Sequence, residues 1–445
     1  MISLSAIRDA FDGISPSAIA TVDSAGEVNV SYLSDVHYID ETHIALSFQF
    51  FNKTHRNIHE NPIAQLVLLH PHTSEKFRIT VQYLRTETSG QLFERMRAKL
   101  AGIASHHGMA QVFRLLGADV YRVLSVERMP GKALSPPPQP SLMPKVRRVF
   151  EALAGHTTSD SLVSALLPAL AANFDIHHSM MLAVDWGSKR LYTLDSYGYP
   201  TSGVGSEVAL GDGVIGVAAE IAAPVRINHM LQENAYSRAV RREILKEGAI
   251  VEPEIALPGL INPQSQMAVP TQIGRQIKGV LFVESPKNYA FNHDLEDALW
   301  MVAQHFGALL GQFPDANCQE FDAEPMGPPR QQPLEGPALR VRYFPGTATV
   351  FLNDEYLIKG VAGAILWKLL REFRTHGRTQ FSSRELRLDP SIGLPQVSDN
   401  LATRLILLKR RLEERDHGIR LLQGGRGQMQ LEVAHPLDLI DQGAA

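Results

Sequence analysis

The spacing of apolar residues switches repeatedly along this chain, and each switch marks an element. Residues 3–11 are apolar at helical spacing, and period-two alternation then takes over. Ala18–Val22, Val28–Tyr32, His43–Phe48, Ala64–Leu69 and Arg78–Thr86 read as strands. A polar helix over Thr54–Glu60 lies among them and a charged helix over Gly90–Gly102 follows. Many short strands with few helices predict a small closed barrel rather than a parallel sheet. The pattern becomes helical at Val146–Leu153 and Ser159–Asn173, then returns to strand at Ser179–Asp185 and Leu191–Gly198. It continues through Gly211–Ala218 and Pro224–Ile227 and closes with Gln266–Pro270, Gly279–Ser285 and a helix over Asn292–Leu310.

The last stretch opens on short strands, Val341–Phe344 and Val350–Asp354. A helix over Val361–His376 carries Ile365, Leu366, Leu369, Leu370 and Phe373 on its core stripe and ends at Gly377. A short helix starts at Ser382–Leu386. A longer one, Leu401–Glu414, repeats Leu401, Leu405, Leu408 and Leu412 on one face, and Arg404, Lys409, Arg410 and Arg411 are read as lying off that face. Ile419–Leu422, Gly424–Gly427 and Gln428–Leu431 then read as a hairpin with Arg426 at its tip. A cationic helix followed by a cationic hairpin suits double-stranded DNA, the helix in the major groove and the hairpin on phosphate.

With 445 residues the chain has room for about three domains. Two proline-rich stretches, 131–144 and 313–337, read as spacers and leave domains at 1–130, 145–312 and 338–445. The formal net charge is -4, so a nucleic-acid site must be a local patch. Between Arg404 and Arg426 there are seven Lys/Arg against three Asp/Glu, a patch of the right sign. One cysteine, Cys318, excludes an internal disulfide and argues against a thiolate cluster or a zinc finger. No signal-peptide pattern is present and no apolar run approaches the roughly 20 residues a membrane span needs, so a cytoplasmic protein with no membrane partner is expected.

The first domain carries Ser47-Phe48-Gln49-Phe50-Phe51-Asn52-Lys53-Thr54-His55-Arg56-Asn57-Ile58, then Asn61-Pro62 and an apolar strand. This segment resembles the flavin-binding segment of the pyridoxamine 5'-phosphate oxidase-like split barrel. The resemblance implies a homodimer with FMN at its interface. Lys53 and Arg56 would neutralise the phosphate, Asn52 and Thr54 would donate hydrogen bonds, and Ser47 and Gln49 would lie near the ring and ribityl chain. Thr54 stands where the oxidases often have Lys, which argues against the oxidase reaction more than against the fold. A degenerate barrel kept for dimerisation is the plainer reading. Haem is a rival cofactor suggested by His106-His107, but adjacent residues on a helix point about 100° apart and would not share one iron.

The middle domain closely resembles a GAF domain over nearly its whole length. Gly211, Gly213 and Gly216 imitate a nucleotide fingerprint without the βαβ context, and the resemblance places them at the start of the helix beside the ligand pocket. Residues 229–259 would form a lid over a small-molecule effector. The last domain resembles the OmpR-type winged helix, whose third helix ends in a motif matched by Leu408-Lys409-Arg410-Arg411-Leu412. That likeness implies base contacts from Ser398, Asn400, Thr403 and Arg404, and phosphate contacts from Arg410, Arg411 and Arg426. The expected fold is multidomain α+β: a β split barrel, a GAF α/β sandwich, then a C-terminal winged helix. The expected function is a one-component, homodimeric transcription regulator that senses a redox state or ligand and binds DNA. The sequence presents no hydrolase triad, P-loop or metal-binding helix, so no catalytic or metal residues are assigned. The alternative is a flavin- or haem-dependent oxidoreductase with a C-terminal interaction module.

Overall fold

The computed structural model describes residues 2–443 apart from 13–16, 34, 50–52, 107–114, 139, 229–254, 275, 314–335, 395–400, 416 and 424–426. Four antiparallel or mixed sheets organise the chain. The first has seven strands: β1 (Ser17–Val22), β2 (Val28–Leu33), β3 (Val36–Tyr38), β4 (His43–Phe48), β5 (Ile63–Leu69), β6 (Lys76–Glu87) and β7 (Gly117–Arg128). Their order is β2-β1-β5-β6-β7-β4-β3, so β2 and β3 are the edges. Alternation decides which side is core: Ala64, Leu66 and Leu68 of β5 are buried while Ile63, Gln65 and Val67 face out. Two register shifts between β6 and β7 bend the sheet around that core. A 3-10 helix over Ser5–Asp12 closes one end with Leu4, Ile7 and Phe11. Helix α1 (Lys53–Glu60) packs on β1 and β2, and α2 (Gln91–His106) shares a buried cluster of Met96 and Leu100 with Ala45 of β4 and Ala118 of β7.

The second sheet is entirely antiparallel, with order β10-β9-β8-β13-β12-β11. Its strands are β8 (His178–Asp185), β9 (Arg190–Tyr197), β10 (Glu207–Ala209), β11 (Val225–Ile227), β12 (Ser265–Ile273) and β13 (Gln276–Ser285). Helices α3 (Met143–Leu153), α4 (Ser159–Phe174) and α6 (His293–Leu310) share a core with Met181, Ala183, Met267 and Leu281 on one face. Helix α5 (Gly213–Ile221) covers Met180, Leu182, Val280 and Phe282 on the other. Burial on both faces explains the unbroken apolar runs of β8 and β13. Gly211 and Gly213 take the left-handed region at φ 79° and 58°, while Gly216 is steric: a Cβ there would lie 2.1 Å from the Ala209 carbonyl oxygen. The first module docks here as well, through α2 against α5 and β11 and through Asp9 against His293.

The third module has two small sheets, β16-β15-β14-β20 and β17-β19-β18. They comprise β14 (Leu339–Phe344), β15 (Thr349–Leu352), β16 (Glu355–Ile358), β17 (Gln380–Ser382), β18 (Ile419–Gln423), β19 (Gln428–Val433) and β20 (Leu437–Asp441), with β20 parallel to β14. Helices α7 (Gly360–His376), α8 (Ser383–Leu388) and α9 (Leu401–Arg415) fill the space between. Gly377 ends α7 in the left-handed region at φ 65°, and the Ser382 hydroxyl caps α8 by accepting from the Glu385 N–H. Strands β3, β7, β10, β16, β17 and β20 are additions to the elements expected from periodicity. No described helix is long and apolar enough to cross a membrane.

Candidate functional site

Helix α9 forms because leucines recur at helical spacing with no internal glycine or proline, and its apolar side packs against α7 and β18. Arg404 and Arg411 do not lie off the apolar stripe. Helical spacing sets Arg404 beside Leu401 and Leu408, and Arg411 beside Leu408, so both guanidinium groups are buried and must find partners. Arg411 finds them within its own module: its Nε donates to the Leu357 carbonyl oxygen at 3.0 Å and its Nη1 pairs with Glu414 at 2.7 Å. Only 4% of that side chain is exposed, which places it as a structural cation and not as a phosphate contact in this arrangement.

Arg404, Lys409 and Arg410 point into the middle module, whereas Arg415 pairs with Glu355 of its own module at 3.1 Å. The Arg404 guanidinium meets the Asp185 carboxylate and lies over the Tyr192 ring, 4.7 Å from its centre. Asp185 also accepts from the Ser188 hydroxyl at 2.5 Å and the Gly187 N–H at 3.2 Å. Arg410 donates from Nε to Asp160 at 3.1 Å and pairs through Nη1 with Asp195 at 3.0 Å. It also donates to the Leu194 carbonyl at 2.9 Å and to the Ser164 hydroxyl at 2.7 Å. Lys409 reaches Asp160 at 2.6 Å. Next to this row Lys359, just before α7, pairs with Glu207 at 3.3 Å, and the Ser202 hydroxyl bonds Glu414. Burial raises the Asp160 and Asp185 carboxyls, but the Lys409, Arg410 and Arg404 contacts overcome it and hold both below the usual range. For Asp195 burial wins over the attraction of Arg410, and that carboxyl is pushed up. Thr403 is half-buried on α9, while Ser398, Asn400 and Arg426 lie outside the described residues.

The turn expected to hold a phosphate is already engaged. Lys53 pairs with Glu27 at 3.0 Å and Asp23 at 3.6 Å, so its charge is met by two carboxylates. The buried Thr54 hydroxyl accepts from the Asn29 side-chain amide at 2.8 Å. Ser47 Oγ accepts from the Asp35 N–H at 3.2 Å, Arg56 is exposed, and Asn52 lies outside the described residues. Gln49 is buried, with no partner for its Oε1 among the described residues. A dianionic phosphate needs surplus positive charge, and Lys53 brings none past Asp23 and Glu27. Arg56, exposed, is the expected cation left to meet that charge. His106 ends α2, but its side chain and His107 lie outside what is described.

Periodicity missed a polar cluster built on this same turn. The His55 ring stacks on Phe48 at 3.9 Å, and its Nδ1 sits 3.5 Å from Asp119. Asp119 accepts from the Thr86 hydroxyl at 2.5 Å, Thr86 bonds Tyr83 at 2.8 Å, and Tyr83 approaches His59. Burial pushes the Asp119 carboxyl up, with Thr86 and His55 opposing. His55 and His59 are one helical turn apart, a spacing legible in the sequence, but Asp119 comes from β7, which was not. No group of metal-binding side chains assembles among the described residues.

In the middle module Glu284 continues the face of Val280 and Phe282, the side covered by α5. It is buried and accepts from the Leu260 N–H at 2.6 Å and the Gln266 amide at 3.1 Å. Burial and the nearby Glu284 push the Tyr199 phenol up. Most of the expected lid, 229–254, lies outside the described residues.

No protein-family model matches the sequence, and none of the curated proteins matches it. Solved structures similar to parts of the chain are GAF domains and FMN-binding proteins, among others. The GAF domain of an Acinetobacter phosphoenolpyruvate-protein phosphotransferase is 18% identical, covering 38% of this chain and 92% of its own, with a TM-score of 0.30. An FMN-binding protein from Syntrophomonas wolfei is 19% identical, covering 28% of this chain and 86% of its own, with a TM-score of 0.24. The free methionine-R-sulfoxide reductase of Neisseria meningitidis is 16% identical over 37% of this chain and 86% of its own, with a TM-score of 0.29.

Proposed function

We propose that this chain is a ligand-responsive DNA-binding regulator, with a winged helix in its third module and an effector site in its second. The observation that carries this reading is the order α7, α8, α9, then hairpin β18–β19, with Arg404, Lys409 and Arg410 of α9 each engaging a carboxylate. A helix whose cations pair with carboxylates has the chemistry to pair with phosphates. Ser398, Asn400, Thr403 and Arg404 would read bases and Arg410 and Arg426 would hold phosphate, while Arg411 keeps the helix in place. The polar face at Glu284, Gln266 and Tyr199 is where a small effector with hydrogen-bond donors would bind. A homodimer belongs to this proposal, since two half-sites on DNA call for two copies.

The test is a titration of the full chain with a pool of random-sequence double-stranded DNA over a salt series, followed by selection of the tightest sequences. Binding should weaken with salt at a slope near -0.9 per phosphate contacted, about -2 to -4 for each module. A chain that ignores DNA even at low salt would end the reading. The alternative, a flavin-dependent oxidoreductase, rests on the turn at Lys53, and the engagement of that lysine by Asp23 and Glu27 weighs against it. Flavin absorbance bands in the same preparation would revive it.

A further inference from the structure

We infer that the middle module is an intramolecular competitor of DNA: Asp160, Asp185 and Asp195 occupy the cations of α9 and keep the helix from the major groove until an effector releases it. The inference rests on the DNA-binding reading above and adds its regulation. Its basis is the mutual exclusion built into the contacts. Arg410 spends Nε, Nη1 and Nη2 on Asp160, Asp195, the Leu194 carbonyl and Ser164, so no donor nitrogen of its fork is left for a phosphate. Arg404 and Arg410 are 7% and 10% exposed, and α4 and β9 pack directly against α9.

The chemistry suits a reversible contact. Burying ion pairs costs desolvation that the attraction only about repays, so such a face is selective without being tight. Removing one partner is different, because it strands the other charge. The carboxylates also sit where a ligand can act on them. Asp185 ends β8, whose Met180, Leu182 and Val184 line the α5 face, and Asp195 lies in β9 next to it. Asp160 lies in the first turn of α4, which packs on β8 and β9. An effector that fits the α5 face better when β8 and β9 are shifted would move all three acids together, and that difference in affinity is all the release requires.

Two full-length variants test this: Asp185→Asn alone, and Asp160→Asn with Asp185→Asn and Asp195→Asn. Hydrogen exchange in 401–415 reports docking of α9, exchange in β12 and β13 reports that the middle sheet is still folded, and a labelled random-sequence duplex at low salt reports DNA affinity. The expected result is faster exchange in α9, unchanged exchange in β12 and β13, and DNA affinity raised about tenfold in the single variant and more in the triple. Unchanged α9 exchange in both variants overturns the inference, because the acids would not be what holds the helix. Faster α9 exchange with DNA affinity equal to the parent also overturns it, because docking would not compete with DNA. Faster exchange with no DNA binding by any of the three proteins sinks the DNA reading itself, and the inference with it, while leaving the docking standing.

Discussion

Arg411 shows how much a single side chain's neighbours decide. In the sequence it is one of three consecutive cations, indistinguishable from Lys409 and Arg410. In the structure it is the only one of the three that turns inward, to the Leu357 carbonyl and Glu414. Replacing it with alanine would leave the Leu357 carbonyl oxygen without this donor and Glu414 with the Ser202 hydroxyl. Arg411→Ala should therefore destabilise the third module by about 2 kcal/mol, read as a lower urea midpoint. Arg410→Ala leaves Asp160 with Lys409 and Asp195 with the Ser196 N–H, both carboxylates in the middle module, so the urea midpoint of the third module should fall clearly less. Equal losses for the two variants would show that Arg411 is no more structural than its neighbour. A helical wheel drawn with charged residues allowed on the core side would have placed Arg404 and Arg411 correctly. The partners Asp185 and Leu357 would not have followed, because they come from other elements.

Among elements, those with strong periodicity were legible and those defined by pairing were not. Helices α3, α4, α6, α7 and α9 were expected within a few residues of their observed ends, since each buries a stripe of Val, Leu or Ile. Strand β7 was missed, although it is 12 residues long, because Gly117–Tyr121 is buried on both faces and carries no alternation. Strands β17 and β20 are only 3 and 5 residues long and exist by adding to β19 and β14. The docking of elements from different modules was likewise out of reach. The 3-10 helix meets α6 through Asp9 and His293, 2.7 Å apart, with Arg8, Asp294, His70 and His72 around them. The hydrogen bond to Asp9 raises the His293 pKa against the effect of burial. A raised histidine stabilises the folded state fully below its ordinary 6.5 and loses that contribution as pH climbs through the raised value. Burial lowers the His70 pKa, so its change falls in the separate window below 6.5. Above pH 6.5 stability should therefore fall in the parent as pH climbs, and by much less in His293→Gln. Thermal melts of both proteins across that window would check it, and parallel curves would rule the pair out as the cause.

At the scale of the whole molecule, the first sheet presents a surface that a lone chain should not leave open. Edge strand β2 carries Val28, Val30 and Tyr32 on one face, 65%, 68% and 79% exposed, and Ile63 and Val67 of β5 extend the same apolar face past β1. Edge strands in soluble proteins are usually blunted by charge, proline or a cover, and the outward face of β2 has none of these. A second copy meeting this face would cover it and would bring two third modules to one duplex, as the proposed function requires. Val30→Glu places a charge in the middle of that surface without touching the core of the sheet, because Val30 points away from it. The parent chain should run as a dimer in light scattering and Val30→Glu as a monomer. Linking two modules multiplies affinity through effective concentration, so the variant should bind paired half-sites about a hundredfold more weakly. It should bind a single half-site as the parent does, and exchange in α9 should not change, because α9 docks on the middle module of its own chain. A parent that is monomeric at the concentrations where it binds paired half-sites would break this link. The cations of α9 would then act one duplex contact at a time, and the exposed face of β2 would belong to some other partner.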